Sequence, residues 1–499
     1  LEEMMKSPIE LLFSLLNDIR RLNPGVKGLE RDKITLECRF ENEGLSFLTK
    51  TLPTLCDSFV QGLSTGRFTC PAGFKTIRGG TIPRLFSGMF CEIFEPSTGH
   101  LREFPDQGIL TDLYQVCKLA KKTQLSSDDE ALLHERAVSE FYRCDEIARL
   151  VEIPDRHDHL IGLVCKLILP TLEEKDVQDA VFRHGPGAVA ESMLANQKWS
   201  AIISGDRDTG LSAAPEWSSL HEFLAHVTGP QLPGTLDDVR NWRSGSSLPS
   251  FQPGGGEAVP TLSPSPGKRP GVSPRAAYQP AAFARLVTVA KDSSSRRTIT
   301  VEPVVNQYHQ QGLSAMLKDS INECSILNRC IALESQGHNQ LLALEGSRHD
   351  NWATLDLKSA SDLLSVKLVK SVFRHHALFL THIMDCRTSL VKSDLRSIST
   401  LGKFAGMGNA LTFPLQSICY ATVCIASILD YDGARPTIRN VRRAAGLLRV
   451  YGDDIIVSTK YAHQCVDWLQ QVGLLVNKKK SFLSGNFKES CGVDAFRGV

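Results

Sequence analysis

The chain has 499 residues, 42% of them hydrophobic, and 56 Lys and Arg against 55 Asp and Glu give a formal net charge of +1. That length and composition describe a globular protein of two or three domains, or one large multi-lobed enzyme, and exclude a chain too polar to build a core. The near-neutral balance announces no nucleic-acid protein by bulk electrostatics, so the distribution of charge carries more weight.

No apolar run is expected to span a bilayer. Charge interrupts the opening LEEMMKSPIELLFSLLNDIRR before a signal-peptide core can form, so it reads as an amphipathic helix of an intracellular protein. The fourteen cysteines are scattered without a CxxC and read as reduced, mostly buried thiols. Leu1 and Val499 fall in mid-pattern, which reads as a fragment cut at both ends.

Residues 1 to about 229 are mainly helical in pattern, for example 130–150 and 159–172, with a Gly- and Pro-punctuated stretch 70–105, some of which is expected as sheet or loop. Asp155-Arg156-His157-Asp158-His159 and His375-His376 offer metal-ligand residue types without partners; they read as a solvated loop and a helix face. His184-Gly185-Pro186-Gly187-Ala188 is a tight turn before a helical pattern. Its glycines could admit a phosphate backbone, with a plain turn the favoured reading. Residues 244–280 are Ser-, Pro- and Gly-rich, mildly basic through Arg243, Lys268, Arg269 and Arg275, and form a long loop or linker.

After Phe283 the order becomes informative. WATLDL at 352–357 is a short buried strand; Leu364, Leu368 and Val372 then recur at helical spacing beside Val369 and Phe373. GKFAGMG at 402–408 is a flexible loop before a helix running to about Leu429, with Pro414 tolerated in its first turn. LLRVYGDDIIVS is two apolar runs meeting at Tyr451-Gly452-Asp453-Asp454, a β-hairpin with adjacent carboxylates at its tip. A helix over 461–472, closed by Gly473, and a strand at 474–476 follow. The order β-α-(loop-α)-β-β-α-β predicts an α+β fold, a small antiparallel sheet backed by helices.

Neighbouring aspartates at a turn repel each other unless a cation sits between them, which suggests a divalent metal site; an Asp-rich hairpin turn is the alternative. Nucleotidyl transfer uses two divalent ions about 4 Å apart, bridged by carboxylates from separate strands. Pairing the Asp356 strand with the hairpin would bring Asp356, Asp453 and Asp454 together. Five residues after Asp356, where a bulky aromatic would exclude a 2′ hydroxyl, stands the small Ser361, and Asp362 is placed to join the network that recognises that hydroxyl. Ser361 and Asp362 also suit a helix N-cap, and the roles can coexist. Basic residues gather in two acid-poor segments around the aspartates, Arg285, Lys291, Arg296 and Arg297, then Lys478, Lys479, Lys480 and Lys488. Such runs are commonly solvated faces, and their position here favours phosphate binding.

DLKSASD, GMGNALTF, VYGDDII and FKESCG, in that order, resemble motifs of the RNA-directed RNA polymerase subunit of levivirus-like positive-strand RNA bacteriophages, relatives of the Q-beta and MS2 replicases, over roughly residues 283–499. HGPGA is similar to a sequence upstream in some such replicases. The resemblance implies a right-hand polymerase: a mainly helical fingers or accessory region (1–243), the linker (244–280), fingers with a basic strand (281–340), an RNA-recognition-like palm (341–486) and a truncated thumb from 487. Asp356, Asp453 and Asp454 would be the metal ligands for two magnesium ions, with manganese as a substitute. Asp362, Asn409, Ser361 and Thr412 would watch the ribose and template, Asn409 as a 2′ hydroxyl partner. Lys291, Arg296 and Arg297 would neutralise the triphosphate, with three inserted serines blurring the register. One of Lys478, Lys479 or Lys480 would protonate pyrophosphate, without a choice among them. The implied partners are single-stranded phage RNA as template and product, ribonucleoside triphosphates, host elongation factors Tu and Ts and a ribosomal protein, with no membrane, in the cytoplasm of the infected bacterium. A reverse transcriptase is the rival that Ser361 disfavours. A non-catalytic RNA-binding homologue would be expected to lose one of the three carboxylates, and none is lost.

Overall fold

The structure is a computed structural model that describes residues 7–123, 127–169, 182–194, 198 and 283–499. The 244–280 linker and Arg243 lie outside the described residues, as does most of the helical pattern expected after HGPGA.

Helix α1 (Pro8–Leu22) buries Ile9, Leu12, Leu16 and Ile19, a three- and four-residue spacing that puts one apolar stripe on the core, and Ser7 and Glu10 close a capping box at its start. With α2 (Leu29–Glu43), α3 (Leu52–Thr65), α4 (Ser87–Ile93) and α5 (Gln107–Lys118) it encloses a first core around Leu55, Phe59, Phe90 and Phe94. The stretch 70–105 is in part turns and isolated bridges such as Thr76 to Pro83, as expected for some of it, and in part α4, where Met89, Phe90 and Ile93 recur at helical spacing and are buried.

A second, larger core takes in α6 (Ser127–Leu150) and α7 (Asp155–Ile168), so the described residues before 170 are shared between two cores. Asp155 to His159 begin α7 rather than a solvated loop. Arg156 pairs with Asp430, Asp158 pairs with Arg374, and the His157 ring meets Trp468 edge-on at 3.8 Å.

The chain resumes with β1 (Ala284–Asp292) and β2 (Ser295–Val301), then α8 (Val304–Glu323), α9 (Leu327–Cys330) and α10 (Gly337–His349). Next come β3 (Trp352–Lys358), α11 (Ala360–Leu363), α12 (Val366–Val372), α13 (Ala377–Asp385), β4 (Leu390–Lys392) and β5 (Ser399–Thr400). The helical run expected after Leu364 is broken because Ser365 caps α12, accepting the Leu368 N–H, and His376 starts a new helix. His375-His376 therefore lie between helices. The buried His376 ring is bonded to the Leu169 carbonyl at 2.8 Å.

The last elements are α14 (Thr412–Tyr431), α15 (Ile438–Ala445), β6 (Leu448–Tyr451), β7 (Asp454–Ser458), α16 (Ala462–Gln471), β8 (Leu475–Val476) and the hairpin β9 (Phe487–Ser490) and β10 (Val493–Phe496). Strands order β2-β1-β4-β5 in one sheet and β6-β7-β3-β8 in the other, giving a mixed α+β fold. Contrary to expectation, one helix among the described residues, the 20-residue α14, is long and apolar enough to cross a bilayer, with an 18-residue stretch of mean hydropathy 1.5. Here 94% of that apolar stretch is buried among the packed elements of the second core, where a helix apolar on every side belongs. Phe482, Phe487 and Phe496 join the first core, so the closing hairpin bridges the central sheet to the N-terminal helices. All fourteen cysteines are free and ten are buried.

Candidate active site

Ala353, Leu355 and Leu357 are buried on the core face of β3, and strand alternation puts Asp356 on the other face. The antiparallel β3–β7 register sets Asp356 opposite Asp454, and the β6–β7 hairpin pairs Tyr451 with Asp454. Gly452 turns the hairpin at φ +62°, its N–H donating to Ser417 Oγ at 3.1 Å; a Cβ there would stand 2.5 Å from the Phe413 ring. Asp453 is thereby left at the tip. Asp356 and Asp453 border a cleft of about 630 Å³ that also reaches β1, β2, α11 and the start of α14.

Asp454 does not border that cleft; its carboxylate accepts from the Cys491 N–H at 3.4 Å and faces the Cys491 thiol at 3.5 Å. Burial pushes the Asp454 carboxyl up to about 6, with repulsion from Asp453 adding to it and the Cys491 bonds opposing it. Burial also raises Asp356, against a 2.7 Å hydrogen bond donated by Asn477 Nδ2 and the attraction of Lys480, and Asp453 adds repulsion. Among the described residues no three His, Cys, Asp or Glu side chains converge to hold a metal ion unaided. The cleft offers two carboxylates that repel each other, an all-oxygen donor pair of the kind a hard divalent cation binds while taking its other ligands from water and phosphate.

Ser361 and Asp362 also border the cleft. They lie inside α11 and are not its N-cap, a position held by Ser359 at φ +48°. Asp362 pairs with Lys403 at 2.9 Å and faces the Thr298 hydroxyl at 3.5 Å. Asn409 Oδ1 accepts the Leu411 N–H at 2.9 Å, whereas its buried Nδ2 has no hydrogen-bond partner among the described residues. Thr412 Oγ1 donates to the Gly406 carbonyl at 3.0 Å and so staples the loop. That loop runs hard against β2: the Thr300 N–H donates to the Met407 carbonyl at 2.7 Å, and a Cβ on Gly408, at φ +116°, would lie 2.1 Å from the Thr300 oxygen.

The basic residues separate by what they already hold. Arg296 donates to the Thr288 hydroxyl and carbonyl at 2.9 and 3.1 Å and lies 3.6 Å from Glu130, which commits it to the hairpin. Lys291 and Arg297 border the same cleft, are exposed, and make no side-chain hydrogen bond or ion pair among the described residues. The serines form the turn: Asp292 Oδ1 accepts from the Ser294 N–H and from the Ser294 and Ser295 hydroxyls, and the register shift falls between Ala290 and Asp292. Of the three consecutive lysines, Lys480 borders the cleft and Lys478 and Lys479 do not. Burial works to lower the Lys480 pKa, but Glu489, 3.4 Å away, and Asp356 outweigh it and raise it. Lys488 is buried against Asp350, and Arg285 borders a different cavity.

Three contributors escaped sequence reasoning, Asn477, Cys491 and Lys403, because no periodicity or charge run marks them. The one signal is a lone lysine in the otherwise uncharged GKFAGMG. In HGPGA the turn offers carbonyls: Lys198 Nζ donates to those of Gly185 and Gly187 at 2.8 and 2.6 Å.

Residues 265–499 match the family model described as RNA replicase, beta-chain. The chain is 35% identical over 217 residues to the RNA-directed RNA polymerase subunit beta of Enterobacteria phage SP, covering 43% of this chain and 34% of that one. It is 34% identical over 221 residues to that of Escherichia virus Qbeta (44% and 34%) and 31% identical over 214 residues to the RNA-directed RNA polymerase beta chain of Escherichia phage MS2 (43% and 36%). The chain thus spans about a third of the length of these relatives. Against the RNA-dependent RNA polymerase of a human picorbirnavirus the TM-score is 0.31 at 12% identity, over 40% of each chain.

Proposed function

We propose that this chain, whose residues 265–499 match the RNA replicase beta-chain family model, is an RNA-directed RNA polymerase that copies a positive-strand phage RNA from ribonucleoside triphosphates. The observation that carries the reading is the β3–β7 register, which brings the Asp356 strand and the Asp453 turn to one cleft rimmed by uncommitted cations. In right-hand terms the β6-β7-β3-β8 sheet is the palm, the β1–β2 hairpin belongs to the fingers, and residues 487–499 stand on the thumb side.

Asp356 and Asp453 would hold divalent magnesium, with manganese a substitute, while Asp454 backs the hairpin. When bound, such ions activate the attacking 3′ hydroxyl and neutralise the leaving pyrophosphate. Lys291 and Arg297 bind the triphosphate in the exposed half of the cleft, and Arg296 stiffens the strand beneath them. Lys480 holds a proton at Nζ for the pyrophosphate. Asn409 Nδ2, which lacks an acceptor, donates to the ribose 2′ oxygen; Asp362 accepts from the hydroxyl, and Ser361 leaves room for it. Template and product RNA, host elongation factors Tu and Ts and a ribosomal protein are the expected partners, in the host cytoplasm.

Supplying an RNA template with labelled ribo- or deoxynucleoside triphosphates and magnesium tests the reading. Ribonucleotide incorporation that vanishes with Asp453→Asn is expected. No incorporation from either set would overturn it, and equal use of both would favour the reverse-transcriptase alternative.

A further inference from the structure

The loop before α14 contains a lysine that the reaction as described leaves unused. Lys403 has a fully buried side chain. A buried ammonium persists where its protons find acceptors or an aromatic face. Lys403 Nζ donates to the Phe141 carbonyl at 3.0 Å and to Asp362 Oδ1 at 2.9 Å, and stands 3.3 Å from the centre of the Phe141 ring.

Its backbone is pinned as firmly. The N–H groups of Gly402 and Lys403 donate to Asp145 Oδ1 at 2.9 and 3.0 Å, and the Arg387 guanidinium donates to the carbonyls of Leu401, Lys403 and Phe404 at 2.7 to 2.8 Å. The Phe404 N–H donates to the Leu364 carbonyl at 2.7 Å, which clips the loop to the chain just beyond Asp362. Lys403 is thus held from α6, from Arg387 between α13 and β4 and from the chain after α11, and its ion-pair partner is the carboxylate that borders the cleft beside Ser361 and Asn409. One oxygen of Asp362 is engaged by Lys403; the other, 3.5 Å from the Thr298 hydroxyl, keeps acceptor capacity.

Resting on the polymerase reading above, we infer that Lys403 is the positioning residue for sugar selection: its ion pair fixes the Asp362 carboxylate in the orientation that accepts from a ribose 2′ hydroxyl. Because the same loop runs on to Asn409, Lys403 also sets the spacing between the acceptor and the donor that grip that hydroxyl. A deoxyribose satisfies neither group, so loosening Asp362 weakens ribonucleotide binding and leaves deoxynucleotide binding where it was.

The test is the dissociation constant for GTP and for dGTP, measured by fluorescence titration, together with extension of a primed RNA. Lys403→Met should reduce the preference for GTP by about tenfold, the loss falling on GTP and on KM rather than kcat. Lys403→Arg, which keeps the charge, should retain most of the preference. Adding Asp362→Asn to Lys403→Met should change the ratio no further, since the two act as one unit. Should Lys403→Met fail to fold, that double variant leaves no buried charge unpaired and must give the ratio of Asp362→Asn alone. Equal losses for both nucleotides in Lys403→Met, or a double variant that falls below Asp362→Asn, would reduce Lys403 to a structural role and overturn the inference. Nucleotide binding without any extension by the unmodified chain would instead defeat the polymerase reading, with the binding ratio still readable.

Discussion

Asp356 and Asp454 stand opposite each other in the β3–β7 register, yet Asp356 borders the cleft while Asp454 turns its carboxylate to Cys491 in the β9–β10 turn. Successive residues leave a hairpin in different directions, so the Asp453-Asp454 pair is divided between the cleft and the closing hairpin. Asp453→Asn should therefore lower nucleotide incorporation by at least ~100-fold with the folded state intact, as loss of a charge poised for the transition state does. Asp454→Asn should cost less activity and, since burial and the neighbouring Asp453 raise that carboxyl to about 6 and make its charge a cost to the folded state, should raise the melting temperature at pH 8. Steady-state incorporation and thermal melts check both, and equal activity losses would return Asp454 to the cleft.

The arginines of β2 should part company in the same way. Arg297→Ala is expected to raise KM for triphosphate several-fold without changing the melting temperature, because that side chain is exposed and holds nothing else among the described residues. Arg296→Ala should lower the melting temperature instead, since it strips donors from Thr288. A reversed pattern would exchange their roles.

Ser361→Phe should depress ribonucleotide use far more than deoxynucleotide use by filling the space beside the sugar. Asn409→Ala removes the buried unpartnered Nδ2 and should narrow the preference for ribose by a hydrogen bond worth about 1 to 3 kcal/mol. Competition between labelled ATP and dATP reads both, and an unaltered ratio would remove these residues from sugar recognition.

Among the three consecutive lysines, Lys480→Ala should slow single-turnover incorporation by ~100-fold or more, within the range of general acid catalysis. Lys478→Ala and Lys479→Ala should stay within about twofold, on the scale of ordinary surface substitutions. Similar effects at all three positions would mean that bulk charge, and not the proton at Lys480 Nζ, matters.

Glu302 offers a test of the fold apart from activity. It is buried, accepting from the Thr388 hydroxyl and, at 3.0 Å, from Gln310 Nε2, and burial raises its carboxyl above the ordinary 4.5 despite those bonds. With the folded pKa above the unfolded one, its contribution to stability is complete below the unfolded pKa and is lost as pH rises through the folded value. Glu302→Gln should gain on the unmodified chain in denaturant melts as pH rises from about 4 to 8. A constant gap across that window would assign Glu302 an unshifted pKa.

Local pattern accounts for what was legible in advance. The alternation of WATLDL, the two apolar runs meeting at Gly452, the stop at Gly473 and the small Ser361 are properties of short stretches, since strand periodicity, turn chemistry and side-chain size act within a few residues. They carried the sheet, the hairpin and the presence of aspartates on both. Misreadings arose where distant packing decides the outcome: the start of α7, held by ion pairs to Asp430 and Arg374, and α14, whose apolar length would serve equally in a bilayer or a core.

The tertiary structure alone decided which of several chemically equivalent groups is available. Arg296 and Arg297 are adjacent and identical in type, but Thr288 and Glu130 engage the first and leave the second exposed. Lys480 differs from Lys478 and Lys479 by bordering the cleft beside Glu489, and Lys403 gained its place through Phe141 and Asp362. A charge acts through what lies within a few ångströms of it, and that company is assembled by folding from segments far apart in the chain, which no window of sequence contains.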